Sequence, residues 1–312
     1  MKILRSILRI LFVGFILLNA VAAFQAYKLT RFYDSAPPKV PPAQQSFWYK
    51  TKAVLFGISM PKSKNAIRPN SSFETIYLKT DDAIKLQAWY MEDSLAKGTI
   101  ILFHGHGGSK SGVLDEAYYF KSLGYNVLMV DFRAHGGSEG NICTIGYYES
   151  ADVKAAYDYV LAKGEKNIFM WGTSLGAATI IKTIHDYDIK PKKIILEMPF
   201  GSLLQAVKGR VRVMGLPQEP ISSLLTFWGG VEHGFFAFNY KPCEYAKKIT
   251  CPVLLQWGAQ DPRVTRNEID CIYNNLSMKN KKLVIYEDAA HESLCQNSPE
   301  KWEKEIEYFL SK

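Results

Sequence analysis

The feature that most constrains this chain is Gly172-Thr-Ser-Leu-Gly176, a G-x-S-x-G pentapeptide. An apolar run at residues 167–171 precedes it, and a segment of helical periodicity at residues 175–184 follows it. A turn this tight between a strand and a helix accepts only small neighbours and strains the backbone of its central residue. Chance yields the bare pattern in roughly one chain in ten of this length, so the flanking elements carry the argument. They predict that the Ser174 hydroxyl projects above a sheet as a nucleophile.

From residue 73 onwards, short apolar runs alternate with amphipathic segments. Two opening strands, at 75–79 and 84–91, flank the turn signal Asp81-Asp82 and are expected to be antiparallel. Further buried strands are expected at 99–103, 126–131, 167–171, 193–197, 253–257 and 283–286, and helices at 115–123, 147–161, 175–185, 267–276 and 300–310. This alternation predicts an α/β fold with a mainly parallel, doubly wound sheet and ligand chemistry at the carboxyl ends of its strands.

One segment interrupts the alternation. Residues 200–242 are rich in Leu, Phe and Trp but have little strand character, and a stretch this long and apolar is unsuited to a plain loop. We expect a short helical lid inserted in the domain. The alternative is a set of extra helices that pack into the core.

The basic character of the chain is concentrated at its N-terminus. The 312 residues carry a net charge of +8, but Lys2, Arg5, Arg9, Lys28 and Arg31 precede the first acid, and the rest holds 33 basic against 30 acidic residues. A nucleic-acid-binding domain would carry basic clusters in its body, and this sequence has none. We therefore expect no nucleic-acid partner.

The first 33 residues are expected to form a membrane segment. Residues 10–24 are apolar except for Asn19, and the positively charged flank before them is expected to stay inside, which places the body outside the cytoplasm. An uncleaved single-pass anchor is the first interpretation. A signal peptide cleaved near Ala20-Val-Ala22, which would release a secreted or periplasmic protein, is the second, and a buried helix is the third.

Residues 34–72 are expected to connect this segment to a domain at residues 73–312. Residues 34–42 contain four prolines and indicate a stiff, extended spacer. Residues 47–60 mix aromatic residues with lysines, which suits an amphipathic helix docked on the domain or lying at the bilayer surface. Nothing in the sequence specifies an oligomeric state.

The chain has five cysteines, so at least one thiol is unpaired. Because there is no C-x-x-C pair or metal-ligand spacing, buried small apolar side chains are the default expectation and no metal is expected. One disulfide, between Cys243 and Cys251, is the pairing we consider for an oxidising compartment.

A glycine-rich loop, His104-Gly-His-Gly-Gly108, follows the expected strand at 99–103 directly. Glycines there let the backbone approach a ligand closely and turn N–H groups towards it. The backbone N–H groups of His106 and Leu175 are therefore the candidate oxyanion donors. The alternative is that the loop is only a tight strand-to-helix turn.

A general base and an acid must complete a Ser174 nucleophile. Of six histidines, His291 lies in a loop between the last strand and the last helix, from which an imidazole can reach the end of the sheet. Asp261 follows the strand at 253–257, which gives the chain order Ser174, Asp261, His291. Glu197, at the end of the preceding strand, is the competing acid.

Together these residues resemble the α/β-hydrolase superfamily, from about residue 73 to the C-terminus. Asp131-Phe-Arg-Ala-His-Gly-Gly-Ser138 is similar to the D-x-R-G-x-G-x-S turn of the serine aminopeptidase-like (S33) and lipase-like branch, with Ala134 where that turn usually has Gly. The N-terminal segment resembles that of anchored bacterial hydrolases and their eukaryotic ABHD-type relatives. The resemblance implies ester, thioester or amide hydrolysis through an acyl-enzyme, with no metal or organic cofactor.

Three functions remain open. The first is a carboxylesterase or lipase-like enzyme acting on a small-molecule or lipid-like ester, favoured weakly by the apolar insertion and the membrane segment. The second is a peptidase or amidase, which would need acidic anchors for a free amino terminus, such as Glu197, Glu219 or Glu232. The third is a non-catalytic binding protein on the same fold. A Ser nucleophile argues against the dehalogenase and epoxide hydrolase branches, which the resemblance links to Asp at this position.

Overall fold

The computed structural model describes residues 2–35, 46–57 and 59–312. A two-stranded parallel pair, β1 (Phe32–Tyr33) and β2 (Met60–Pro61), lies near the N-terminus. The central sheet has eight strands: β3 (Glu74–Lys79), β4 (Lys85–Met91), β5 (Thr99–Phe103), β6 (Asn126–Val130), β7 (Ile168–Thr173), β8 (Lys193–Glu197), β9 (Val253–Gly258) and β10 (Lys281–Tyr286).

The strand order across the sheet is β10-β9-β8-β7-β5-β6-β4-β3. Strands β5 to β10 pair in parallel, whereas β4 is antiparallel to both β3 and β6. Every residue of β5, β6, β8 and β9 is buried, because their continuous apolar runs are covered on both faces, as parallel sheets require. The predicted α/β class with a mainly parallel sheet is confirmed.

Helices cover both faces of the sheet. They are α3 (Leu114–Ser122), α4 (Ser150–Ala162), α5 (Leu175–Asp186), α9 (Arg266–Asn275), α10 (Leu294–Asn297) and α11 (Pro299–Ser311). Helices α4 and α5 pack on each other, and α3 packs on α10. The indole of Trp302 from α11 lies against Tyr119 and Phe120 of α3, with ring centroids 5.3 and 5.8 Å apart.

Because β5 to β10 are parallel, their carboxyl ends lie at one edge of the sheet, together with the loops that follow them.

The segment between β8 and β9 is helical. It contains α6 (Leu203–Val213), α7 (Ile221–His233) and the short α8 (Pro242–Tyr245). Helices α6 and α7 pack on each other. We call residues 200–242 the helical insertion.

The N-terminal residues form α1 (Lys2–Leu29), the one helix among the described residues that is long and apolar enough to cross a membrane, with a mean hydropathy of 2.4. Its first 17 residues are exposed, and its second half packs on α7. A helix, α2 (Phe47–Phe56), lies within the segment expected to be helical at 47–60. Of the expected spacer at 34–42, residues 36–42 lie outside the described part of the chain.

The expected Cys243–Cys251 disulfide is wrong. Cys243, on α8, is bonded instead to Cys271, on α9, with 5.7 Å between their Cα atoms. The two helices pack on each other, which brings the two cysteines together. Cys251, Cys143 and Cys295 are free thiols.

Candidate active site

Ser174 occupies the sharp turn at residues 172–176 between β7 and α5, which we call the elbow. Its φ of 51° and ψ of −107° are a strained conformation for a residue with a side chain. A Cβ at Gly172 would lie 2.7 Å from the carbonyl carbon of Gly176, and one at Gly176 would lie 2.2 Å from the Phe103 oxygen. Both glycines are therefore needed because the start of α5 packs directly against the ends of β7 and β5. This packing fixes the Ser174 side chain above the sheet.

The structure brings Ser174, His291 and Asp261 into one hydrogen-bonded line. His291 Nε2 lies 3.0 Å from Ser174 Oγ, and His291 Nδ1 lies 2.6 Å from Asp261 Oδ2. The Asp261 side chain is fully buried, and that of His291 is one-tenth exposed. This arrangement suits an imidazole whose Nδ1–H donates to Asp261 and whose Nε2 accepts from the serine hydroxyl.

Two loops at neighbouring strand ends hold this line. Asp261 Oδ1 accepts N–H bonds from Arg263 (2.7 Å) and Val264 (3.0 Å), which fixes the carboxylate in the turn after β9. A Cβ at Gly258 would lie only 2.4 Å from the carbonyl oxygen of Ala289. The end of β9 therefore packs tightly against the loop that carries His291, and the acid and the base share one rigid support.

Glu197, the competing acid, lies elsewhere. Its Oε1 accepts from the indoles of Trp302 (2.6 Å) and Trp171 (2.9 Å) and from the Gln256 amide (3.2 Å). Burial, reinforced by the nearby Glu116, raises the pKa of Glu197 to about 8. Its contribution to the elbow is through the backbone, since its carbonyl oxygen accepts the Ser174 N–H at 2.7 Å.

Both candidate oxyanion donors lie beside Ser174. Leu175 is the first residue of α5, where a backbone N–H has no intrahelical acceptor. A Cβ at Gly105 would lie 3.7 Å from the Ser174 Cβ, so the loop that carries His106 passes directly over the elbow. Both residues line the same cavity as Ser174 and His291.

Two other histidines hold the glycine-rich loop at residues 104–108 against the turn at residues 131–138. His135 Nε2 accepts the Gly107 N–H at 3.0 Å, while its Nδ1 lies 2.8 Å from the Arg133 carbonyl oxygen. His104 Nε2 accepts the Phe132 N–H at 3.2 Å. Burial lowers the pKa of His104, which keeps that ring neutral as such acceptance requires. These contacts hold the glycine-rich loop in place beside Ser174.

The turn at residues 131–138 is itself anchored by a buried ion pair. Asp131 pairs with the Lys110 ammonium, and both side chains are fully buried. Asp131 also accepts N–H bonds from Lys110 (2.7 Å) and Gly137 (2.8 Å). Ala134 has φ +64°, the left-handed region that favours glycine, which explains why the resembling turn usually carries Gly there.

The cavity above Ser174 has a volume of about 250 Å³. Its charged lining includes three residues that the sequence alone did not single out: Glu116, Arg210 and Arg263. The only sequence signal is for Arg263, which lies two positions after Asp261. His185 and His233 lie outside this cavity lining, on α5 and α7. Among the described residues, no group of three or more His, Cys, Asp or Glu is placed to hold a metal ion.

A mainly parallel eight-stranded sheet with a serine on the elbow after β7 defines the α/β-hydrolase fold. Residues 94–223 match the family model described as serine aminopeptidase, S33, and residues 211–309 match the dienelactone hydrolase family. The chain has the α/β-hydrolase fold, and these two partial family matches support the α/β-hydrolase superfamily and a hydrolase.

Similar proteins agree with this assignment. The esterase Pf2001 of Pyrococcus furiosus is 25% identical and superposes with a TM-score of 0.66 over 80% of this chain and 98% of its own. An esterase of Exiguobacterium antarcticum is 15% identical, with a TM-score of 0.58 over 77% of this chain and 100% of its own. The uncharacterized protein YqkD of Bacillus subtilis is 27% identical over 219 residues, 68% of this chain and 70% of its own.

Proposed function

We propose that this protein is a serine esterase that cleaves carboxylic esters of lipophilic acyl groups through an acyl-enzyme on Ser174. The observation that carries the proposal is the hydrogen-bonded line from Ser174 Oγ through the His291 ring to Asp261. The strained elbow supports it, because backbone strain of this kind is retained where it places a reacting group. The similarity to the Pyrococcus furiosus esterase supports an ester substrate.

In the proposed reaction, His291 Nε2 takes the Ser174 proton as the oxygen attacks the ester carbonyl carbon. The C=O π electrons move to oxygen, and the backbone N–H groups of His106 and Leu175 stabilise that oxyanion. His291 then returns the proton to the leaving alcohol as the C–O bond breaks. Water, deprotonated by the same nitrogen, attacks the acyl carbon, and the proton passes to Ser174 Oγ as its bond to the acyl group breaks and the carboxylic acid leaves. Asp261 holds the tautomer and stabilises the imidazolium.

Glu197, Glu219 and Glu232, the anchors considered for a peptidase, do not favour that alternative. A free amino terminus needs an ionised carboxylate that faces the site. Glu197 is fully buried with its pKa raised to about 8, so it is largely protonated at neutral pH. Glu219 pairs with Lys208 at 2.8 Å, and Glu232 pairs with Arg31 at 3.4 Å, so both are already neutralised.

We further propose that α1 stays attached as a membrane anchor, with the catalytic domain outside the cytoplasm. Its exposed first 17 residues span about 25 Å, close to the thickness of a bilayer core. Cleavage after Ala22 would remove Asn19, whose side chain accepts the Trp228 indole N–H of α7 at 3.1 Å. Ala22 and Ala26 are buried, so the helix is packed as part of the fold.

The same packing supports the helical insertion as a lid close to lipids. Helix α7 lies along the second half of α1 and exposes Phe227 and Val231. Helix α6 contributes Ala206 and Arg210 to the cavity lining. An ester that partitions into the bilayer would thus meet the insertion before it reaches Ser174.

The test is hydrolysis of a p-nitrophenyl ester chain-length series by the full chain in detergent, with Ser174→Ala as the matched control. We expect the rate to be measurable for the wild type and to fall to background in the variant. A fluorophosphonate probe should label the wild type and leave Ser174→Ala unlabelled. Equal rates for the two proteins, with no labelling of folded wild type, would instead favour the non-catalytic binding protein.

The anchor is tested separately. We expect the expressed protein to remain in the membrane fraction after alkaline carbonate washing and to keep its intact N-terminus by mass spectrometry. A protein that begins after Ala22 would contradict the anchor and favour the cleaved signal peptide.

A further inference from the structure

Two guanidinium groups line the cavity that holds Ser174. Arg210 comes from α6 of the helical insertion, and Arg263 comes from the turn that carries Asp261. The two elements touch there, since a Cβ at Gly209 would lie 2.2 Å from the Arg263 carbonyl oxygen. Two like charges are thus brought together at one wall of the cavity.

Neither guanidinium has an acidic partner within the described part of the chain. Two other arginines of this region have protein partners: Arg266 pairs with Asp270 at 2.7 Å, and Arg212 donates to the Pro262 backbone carbonyl oxygen at 3.0 Å. The environment of Arg210 disfavours its charge, because burial and the neighbouring Arg263 lower its pKa to about 10. Arg210 is half-buried and Arg263 is exposed, so both guanidinium groups are open to an anion that enters the cavity, and such an anion would favour the charged form of Arg210.

The acidic residues of the same cavity do not neutralise the charges of Arg210 and Arg263. Glu116 and Glu197 have pKa values raised to about 7 and about 8, chiefly by burial, and each has an Oε2 atom with no hydrogen-bond partner. Glu292, at the exposed rim, accepts the Ala290 N–H at 3.3 Å and forms no ion pair with either arginine. At neutral pH the lining is therefore net positive on the side of Arg210 and Arg263.

We propose that Arg210 and Arg263 form an anion subsite and that the ester substrate carries a carboxylate or a phosphate group. Guanidinium groups bind both anions through charge-assisted, often bidentate hydrogen bonds, which gives orientation as well as affinity. The inference rests on the proposed esterase function and narrows its substrate to anionic amphiphilic esters. The anion of such a substrate would lie where α6 of the insertion meets the Asp261 turn.

The first experiment compares three aryl acetates that share an acetyl group: 4-acetoxybenzoate, 4-acetoxyphenyl phosphate and the neutral 4-acetoxybenzamide. After correction for their hydroxide-catalysed rates, we expect kcat/KM of the full chain to favour one of the anions over the amide by about tenfold or more. The anion with the larger ratio identifies carboxylate or phosphate as the preferred group. The ratio should shrink as salt is added.

Variants assign this preference to the two arginines. Arg210→Gln and Arg263→Gln should each lower the anion-to-amide ratio by about tenfold. Arg266→Gln removes an exposed positive charge from outside the cavity and should leave the ratio unchanged. An equal loss for the anionic and neutral esters would mean that Arg210 and Arg263 only support the fold, and it would overturn the proposal.

A binding measurement separates this inference from the proposed catalysis. Titration of Ser174→Ala with benzoate, phenyl phosphate and benzamide requires no turnover. We expect at least one anion to bind about tenfold or more tightly than benzamide and to lose that advantage in Ser174→Ala/Arg210→Gln. Equal binding of all three ligands overturns the anion subsite, whereas an unreactive Ser174 with selective anion binding refutes only the esterase.

Discussion

Two carboxyl groups stand at neighbouring strand ends, Glu197 on β8 and Asp261 after β9, and their surroundings differ. Asp261 accepts two backbone N–H bonds on one oxygen and faces His291 with the other. Glu197 concentrates its three donors on Oε1, and its Oε2 has no partner. Burial raises the pKa of Glu197, which favours its protonated form.

Position at the end of a parallel strand is therefore not enough to make a triad acid. The turn after β9 offers N–H groups to its carboxylate because the chain folds back immediately at residues 258–264. The end of β8 is instead enclosed by the indoles of Trp171 and Trp302, whose donors hold a buried carboxyl group in place. The same comparison predicts which substitution should abolish turnover and which should chiefly change stability.

The largest effect is expected for Asp261→Asn. The amide oxygen should keep the place of Oδ1, which accepts two backbone N–H bonds, so the NH2 group faces His291 and donates to Nδ1. The ring is then held in the wrong tautomer, and kcat should fall by about 10⁴-fold. The measurement is kcat for a short p-nitrophenyl ester, with circular dichroism to verify folding. A fall of that size in Glu197→Gln, with Asp261→Asn active, would reverse the assignment of the acid.

The second prediction concerns stability and pH. Glu197 has a folded pKa of about 8 against an ordinary value of 4.5, so between these values the folded state keeps a proton that the unfolded state has released. The free energy of unfolding should therefore fall as the pH rises from about 4.5 to 8. Glu116, raised to about 7, contributes with the same sign. Melting temperatures at pH 5 to 9 should decline less steeply in Glu197→Gln than in the wild type, and parallel curves would contradict this.

The third prediction concerns the disulfide between the helices that flank β9 and the Asp261 turn. The Cys243–Cys271 bond joins α8, before β9, to α9, after the Asp261 turn, across a separation of 28 residues. By its loop length, Cys243→Ser with Cys271→Ser should lower the free energy of unfolding by about 3 kcal/mol. Turnover at 25 °C should persist, because the triad distances are set by loop packing. Thermal melts and kcat test both parts, and Cys251→Ser is the matched control.

The comparison also indicates what the sequence could predict. Strand and helix patterns from residue 73 onwards follow from local periodicity, so their order and the position of the elbow are readable without a structure. Chain order alone also proposed Asp261 and His291. The choice between Asp261 and Glu197 needs the donors around each carboxyl group, and those come from tryptophans 26 and 105 residues away.

Other features could not be predicted from the sequence, because they too depend on contacts between residues far apart in the chain. The Cys243–Cys271 bond depends on how α8 and α9 pack, and spacing along the chain suggested the wrong partner. The contact of α1 with α7 joins two apolar helices about 200 residues apart, and periodicity shows only that each has an apolar face. Arg210 and Arg263 meet only because Gly209 lets α6 approach the Asp261 turn.

The smallest effect is expected for the activity of Glu197→Gln. Glu197 is largely protonated at neutral pH, so a glutamine of similar shape keeps both its uncharged state and an oxygen that accepts from Trp171 and Trp302. Because the contact of Glu197 with the elbow is a backbone carbonyl, the Ser174 N–H bond is retained. We expect kcat at pH 7 to remain within about threefold of the wild type, a difference of less than 1 kcal/mol in the activation barrier. A larger loss at unchanged melting temperature would show that the Glu197 carboxyl group takes part in the reaction, as the Asp261 carboxyl group is proposed to do.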